Sequence, residues 1–500
     1  MEICFDNKIK NTYIETGHIC RRIQEHAECV VPDVNDDIGR IASTQTEIML
    51  KGKELNSRGL CVSGEINASV LYITENENKV SYVNTSKSFE IYFDTGDAAD
   101  EMLSHVKLSV VNSEARALNP RKLSLSFDIS GELYCYKESS TELETIVGDA
   151  QAQNVHLKYE SLDIMTVSAV CEKSFAISEQ LLYPSGKSSP SQLICKKAEF
   201  TVTDTQIIGS KAIIKGNVNV SVMCSSDELC YPVCSEFSLP FSQIIDTGKD
   251  EIDSCSVTIQ QTSSCYRLVD TINGEKAIDS EIHAVIQLVC RSRQTVRYIS
   301  DAYSNLMPVV CSVSTRQFDE LCEPQRFRLN AEEHISIAED CADVLNVFPS
   351  ISQWELSGGK LRAALQFDVI YRNTGGGLAA VRRGLETECE CTLDAPRLDS
   401  ISLSDINLRS EGALIESRVC VEAVCRQCRK TEINALNSLE LNEDEAYDFS
   451  QFPSISLVRV ENEELWQLAK AYHSSVEQIS SKNDISQPMS GRMLLIPKTV

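Results

Sequence analysis

Cysteine and histidine carry the most chemical potential in this 500-residue chain, which holds 21 of the first and seven of the second. Cys425-x-x-Cys428 with Cys420 nearby, and the pair Cys389-x-Cys391, supply the donor type of a zinc site. No doubled C-x-x-C pattern of a zinc ribbon accompanies them. An i, i+2 pair on a strand shares a face through the pleat alone, so small buried apolar residues are the more economical reading. His18 and His26, interleaved with Cys20 and Cys29, offer further metal donors, at a spacing that matches no familiar ligand set. The sequence has no phosphate-cradling G-x-x-x-x-G-K-[ST], no G-x-S-x-G elbow, no H-E-x-x-H and no dinucleotide fingerprint. Gly375-Gly376-Gly377 reads as a hairpin turn, because no helix follows to present its amides to an anion. Carboxylates are abundant, but a glycosidase needs two at a fixed separation across a cleft, and linear spacing does not supply that. The chain is expected to be no enzyme, with no cofactor and no bound metal.

Elements other than catalytic ones must therefore explain the sequence. Its length exceeds what one core fills and predicts three or four domains. A composition of 42% apolar and 24% charged residues allows a sizeable buried interior. The formal charge of −26 argues against nucleic acid, whose affinity for proteins comes from clustered Lys and Arg. No stretch approaches the run of about 18 apolar residues that crosses a membrane, and the first residues, with Glu2 and Asp6, do not form a signal peptide. A cytoplasmic location with reduced cysteines is the expectation.

Laid against itself, the chain repeats. Leu60–Tyr72 (LCVSGEINASVLY), Ala212–Cys224 (AIIKGNVNVSVMC) and Leu361–Tyr371 (LRAALQFDVIY) alternate with period two. In the first, Val62, Gly64, Ile66, Ala68, Val70 and Tyr72 face a core, while Ser63, Glu65, Asn67, Ser69 and Leu71 face water. Each strand runs into a turn, at Glu75-Asn76-Glu77-Asn78, Ser225-Ser226-Asp227-Glu228 and Asn373–Gly377, and so into a hairpin. Glu28–Pro32, Glu179–Pro184 and Glu333–Ile337 precede the hairpins, and strands ending at Tyr136, Cys290 and Cys425 follow them. Gly64, Gly216 and Ala363 recur at intervals of 152 and 147 residues, which is triplication of a whole domain. The fold class is mainly β: three repeated, sandwich-like all-β domains at 1–170, 171–311 and 312–435, the third the most divergent. An acidic linker follows at 436–454.

Residues 455–500 change pattern to strand, helix, helix, strand, a small α+β unit. Leu465, Leu468, Ala469 and Tyr472 share one helical face. Leu465-Trp466, Leu468-Ala469, Tyr472, Ile479, Asn483, Gly491, Leu494 and Ile496-Pro497 resemble a LysM domain in order and spacing. That resemblance places Leu465, Trp466, Ile479 and Ile496 in the core. It places a groove between Asn462, Glu463 and Glu464 on one side and Asn483, Asp484, Ile485 and Met489 on the other. The usual Gly-Asp-Thr turn is replaced by Asn462-Glu463-Glu464, which reads as a LysM unit adapted to grip a protein; the alternative is binding of peptidoglycan or N-acetylglucosamine chains.

Three such repeats before a LysM unit resemble the SipL family of clostridial spore-coat morphogenetic proteins, built from SPOCS-type domains. The resemblance implies a scaffold in the mother cell of a sporulating bacterium, at the forespore surface. It would bind the SpoIVA-type coat-basement ATPase and tether the coat.

Overall fold

A computed structural model describes residues 2–56, 59–76, 78–95, 102–146, 155–338, 340–394, 396–411, 414–451, 453–485 and 489–498. Glu77 of the first expected turn and the side chain of Cys428 lie outside the described set. The first repeat holds β1 (Glu2–Cys4), β2 (Asp6–Val30), β3 (Ile38–Asn56), β4 (Gly59–Thr74), β5 (Val80–Phe93), β6 (Met102–Asn119) and β7 (Lys122–Ile146). The second holds β8 (Val155–Leu182), β9 (Gln192–Ile208), β10 (Lys211–Ser225), β11 (Val233–Asp246), β12 (Ser254–Asp270) and β13 (Lys276–Ser304). The third holds β14 (Val309–Leu321), β15 (Gln325–Ser336), β16 (Cys341–Ser357), β17 (Lys360–Asn373), β18 (Leu378–Glu390), β19 (Pro396–Glu411) and β20 (Leu414–Leu441). A C-terminal unit holds β21 (Ile455–Arg459), α1 (Leu465–Ala471), α2 (Val476–Lys482) and β22 (Met493–Pro497). The protein is mainly β, and among the described residues no helix is long and apolar enough to cross a membrane.

Each repeat is a sandwich of two antiparallel three-stranded sheets. The alternating strands β4, β10 and β17 sit at the centre of one sheet, as β3-β4-β5, β9-β10-β11 and β16-β17-β18. The facing sheets pair β2 and β6 with β7, β8 and β12 with β13, and β15 and β19 with β20. Alternate side chains from the two sheets fill the space between them: Val62, Ile66 and Val70 meet Leu125, Phe127 and Ile129 in the first repeat. Gly64 has a definite job there. It lies opposite Phe89, and a Cβ at Gly64 would run into that ring; Gly216 stands in the same relation to Phe241. In the third repeat the residue opposite Ala363 is Thr387, which leaves room for the methyl.

The outer strands are far longer than a sandwich needs: β2, β8 and β13 run 25, 28 and 29 residues against a usual five or six. Their outer halves leave the sandwiches as two-stranded ribbons, Asp6–Glu15 with Tyr136–Ile146 and Val155–Val167 with Arg291–Ser304. The junction is a β-bulge in both, with Thr16 and Ser168 as the extra residues; each hydroxyl bonds the carbonyl of the cysteine opposite, Cys135 and Cys290. In the third repeat the strand breaks at Cys322–Pro324, where proline has no amide for the ladder, and β14 forms the ribbon with the end of β20. The three ribbons pack into a stalk with its own core, including Val155, Ile299, Ala302, Leu436 and Leu439. The expected boundaries at 170/171 and 435/436 therefore fall inside β8 and β20, each of which serves two cores, and that at 311/312 falls inside β14, a strand of the ribbon. The segment 436–454 is not a bare linker either. Its first six residues complete β20, Tyr447 N–H bonds Leu306 carbonyl at 2.9 Å, and short 3-10 turns form at Glu443–Glu445 and Phe449–Gln451.

The inner ends of the sandwiches close on one another as a ring. Leu71, Met223 and Ile370 each stand seven residues after the equivalent Gly64, Gly216 and Ala363, and all three meet in one apolar cluster. Ala42, Ile194 and Leu345, the extra residues of bulges in β3, β9 and β16, join them. The alternation had placed Leu71 in water; it is fully buried, because the outer face of β4 meets the other two repeats at this end. Hydrogen bonds rim the cluster. Tyr82 OH bonds Gln192 Oε1 at 2.8 Å between repeats one and two, and Asn346 Nδ2 bonds Pro232 carbonyl at 3.4 Å between two and three. Ser43 Oγ bonds Asp368 Oδ2 at 2.9 Å between three and one, where Arg382 also pairs with Asp368 at 2.8 Å. Leu71→Ala is expected to cost about 2–5 kcal/mol, read as a lower urea midpoint, whereas Ser88→Ala on the exposed side of β5 stays within about 0.5 kcal/mol.

Candidate functional site

The C-terminal unit folds around Leu468, Ala469, Ile479, Leu494 and Ile496, which are buried, with Leu465 and Trp466 partly so. Its two strands pair antiparallel, and the helices connect them. Glu464 caps α1 reciprocally with Gln467: the Glu464 amide donates to Gln467 Oε1 at 3.0 Å, while the Glu464 side chain accepts from the Gln467 amide. Ser475 Oγ caps α2 by accepting from Gln478 N at 3.2 Å. Tyr472, read as the end of the apolar face, lies just past α1 and stays largely exposed.

The structure brings the two candidate loops to one edge of this unit. Ser490 Oγ bonds Glu461 carbonyl at 2.7 Å, and Arg492 bonds Asp484 carbonyl at 2.8 Å, so both loops are tied to the segment entering β22. Asn462, Glu463, Glu464, Asp484 and Ile485 are exposed, while Asn483 and Met489 are half-buried. Not all of them are free to meet a partner. Asn483 is a brace: its Nδ2 donates to Ile479 and Leu495 carbonyls at 2.7 Å each, and its Oδ1 accepts from Leu495 N at 2.8 Å. Glu463 Oε2 accepts from the amides of Glu461 and Asn462 at 2.8 and 3.1 Å, and these bonds hold its carboxyl below the usual range. Met489 packs on the unit's core. Glu464 is engaged as well, by the Gln467 amide and by Lys158 of β8, so the exposed edge of Asn462, Glu463, Asp484 and Ile485 is an acidic surface around one apolar side chain.

Sequence reading missed the residues that fix this unit in place, because they lie on β8 and β13. Tyr303 is buried in the unit's own core, donates its hydroxyl to Ser474 carbonyl at 2.8 Å and meets Trp466 edge-on at 4.9 Å. Asp301 accepts from Trp466 Nε1 at 2.7 Å and pairs with Lys470 at 2.7 Å. Trp466 is thus an interface residue more than an interior one. Burial pushes the Asp301 carboxyl up, but Lys470 and Trp466 outweigh that and hold it below its ordinary value. His156 stacks on Tyr303 at 4.8 Å, and Lys158 reaches Glu464 at 3.2 Å. The signal in the sequence was indirect, an indole in a small unit whose core was already full.

The cysteine candidates resolve differently. Cys420 and Cys425 lie five residues apart on one continuous strand, hence on opposite faces and about 17 Å apart, and cannot share an ion. Cys425 is buried in the third core with Cys389 packed against it, and Cys391 is buried too. The described cysteines are all free thiols, Cys255 and Cys290 facing each other at 3.0 Å.

Residues 37–118 match the family model described as SipL, SPOCS domain. This stretch is a SPOCS domain of the SipL family. It runs from the turn before β3 to the end of β6, one whole sheet of the first sandwich and a strand of the other. Strands β9–β12 and β16–β19 have the same order and partners within their repeats. No curated protein and no solved structure matches the chain.

Asp301→Ala should loosen the C-terminal unit from the stalk, seen as faster proteolytic cleavage within 442–454. The same contact carries a pH sign. A carboxylate whose pKa is depressed by its partners contributes fully above its unfolded value, about 3.9, and loses that contribution as pH falls through the depressed value. In a Trp354→Phe background, Trp466 emission is expected to shift red only in that acid range.

Proposed function

We propose that the chain is a non-enzymatic scaffold of spore-coat assembly, working in the mother cell at the forespore surface. The SPOCS domain carries the link to sporulation. The observation that carries the scaffold reading is mechanical. Three β-sandwiches close into one ring, their ribbons form one stalk, and the stalk seats the C-terminal unit through Asp301 and Tyr303 so that its loop edge points outward. In this reading the C-terminal unit is a LysM-type domain that grips a protein. Its loop edge offers carboxylates from Glu463 and Asp484 around Ile485, a surface suited to a basic patch with an apolar centre. The partner proposed is the SpoIVA-type coat-basement ATPase, which the chain would tether to the growing coat.

The test uses purified full-length chain. It is titrated in parallel with the purified ATPase and with N-acetylglucosamine oligomers. Saturable binding to the ATPase is expected, weakened roughly tenfold (about 1.4 kcal/mol) by the double change Asn462→Lys and Asp484→Lys, chiefly through a slower association rate. Binding to the oligomers with none to the ATPase would replace the scaffold reading by one of glycan recognition.

A further inference from the structure

The ribbon and sandwich strands of the first repeat bring together three metal donors from two strands. His18 and Cys20 stand two apart on β2 and point the same way; β7 places Tyr134 opposite His18 and Glu132 opposite Cys20. His18 Nε2 lies 3.4 Å from Cys20 Sγ and 3.6 Å from Glu132 Oε2, and all three donor atoms fall within 4.8 Å of one another. With Zn–N near 2.0 Å and Zn–S near 2.3 Å, the edges of a tetrahedral zinc site are about 3.3–3.6 Å. The two short separations already have that length.

The geometry points to a zinc site at His18, Cys20 and Glu132, with the fourth position open to solvent or to a donor from a partner. A mixed nitrogen, sulfur and oxygen set suits Zn²⁺ better than Mg²⁺ or Ca²⁺, which take oxygen ligands. The donors are held by neighbours before any ion arrives. The His18 ring stacks on Tyr134 at 4.5 Å and 9°. Tyr134 OH donates to Glu132 Oε2 at 2.7 Å and still leaves that oxygen a lone pair, the arrangement that orients ligands in metal sites. Lys107 faces the other oxygen, Oε1, at 3.7 Å, which directs Glu132 to bind through one atom only. The Cys20 thiol gives up its proton when zinc binds, and the sulfur forms the bond to the ion.

The site belongs to one repeat. Gln287 and Glu422 occupy the position of Glu132, three residues before Cys290 and Cys425 as Glu132 is before Cys135, and their strand partners are Glu172 and Arg328 where the first repeat has Cys20. In the second repeat the amide of Gln287 is spent on the backbone of Val106, at 2.6 and 2.7 Å.

Reduced, metal-stripped full-length chain, titrated with Zn²⁺ and followed with Co²⁺ by thiolate-to-cobalt absorption, tests the assignment. Wild type is expected to bind one equivalent more than His18→Ala/Cys20→Ser, whose changes lie on an exposed strand face. Glu132→Gln, which keeps the side-chain shape, should weaken that equivalent at least tenfold, and Tyr134→Phe about 10–100-fold. Equal stoichiometry and affinity in wild type and the double variant, or an unchanged Co²⁺ spectrum, would overturn it.

Discussion

The apolar knot of Leu71, Met223 and Ile370 is the contact on which the rest depends. Without it, three sandwiches with separate cores would lose the apolar contact that closes their inner ends, leaving polar contacts and the outer strands to join them. Each of the three residues comes from the same place in its repeat, and each is flanked by a bulge residue, Ala42, Ile194 or Leu345. A bulge adds a side chain on the outer face of a strand without disturbing the alternation that fills the core. It is therefore an economical way to give a sandwich a second apolar contact. Closing the ring at one end brings the three outer strand pairs together at the other, which gives the ribbons a common axis to pack around.

The junction between sandwich and stalk carries a different kind of constraint. The residue after the junction cysteine is Tyr136, Arg291 or Arg426, and both arginines are nearly buried. Arg426 pairs with Asp399, while Arg291 donates to Ser256 Oγ at 2.6 Å, a hydroxyl that also accepts from Arg426. Burial, and next the repulsion between two guanidinium groups so close, lowers the Arg291 pKa to about 10. Buried charge of this sort is a poor source of net stability, but it penalises any packing that leaves it unpaired. Apolar contact brings the repeats together, and these polar groups discriminate between alternative ways of packing them.

What was legible in the sequence follows from range. Period-two alternation marks β4, β10 and β17 because it reflects a local fact, one face in and one face out. The strand, helix, helix, strand order of the C-terminal unit was legible for the same reason, since each element has its own amphipathic period. Leu71 was assigned to water because alternation knows nothing of a third layer, and the tenths of a strand that matter here are decided by residues 150 and 300 positions away. The double role of β2, β8 and β13 was hidden for a similar reason. A strand that passes from one core to another keeps its alternation throughout, and only Thr16, Ser168 and Pro324 mark the crossing. The Gly64 to Ala363 change looked like divergence, whereas the cross-strand residue, Phe89 in one case and Thr387 in the other, makes it a matched substitution. In the candidate loops, Asn483, read as a groove residue, serves as a brace, and the residues that seat the unit, Asp301 and Tyr303, belong to another repeat, beyond the reach of a local pattern.

A ring of three equivalent repeats poses a problem for a single appended unit, because symmetry would offer it three equal seats. Divergence removes the ambiguity. Asp301 and Tyr303 stand 11 and 13 residues beyond Cys290; at the same distances beyond Cys425 stand Leu436 and Ser438, the first committed to the stalk core. The seat made by a carboxylate for Trp466 and Lys470 and a phenol for Ser474 is therefore absent from the third ribbon. Residues 442–454, held to the stalk through Tyr447 and capped by the ring contacts of Tyr447 and Phe449 with His473, bring the unit to the second ribbon. The loop edge then has one orientation relative to the ring. A partner bound there meets a surface already fixed in place, so less freedom is lost on binding than a flexible tether would require.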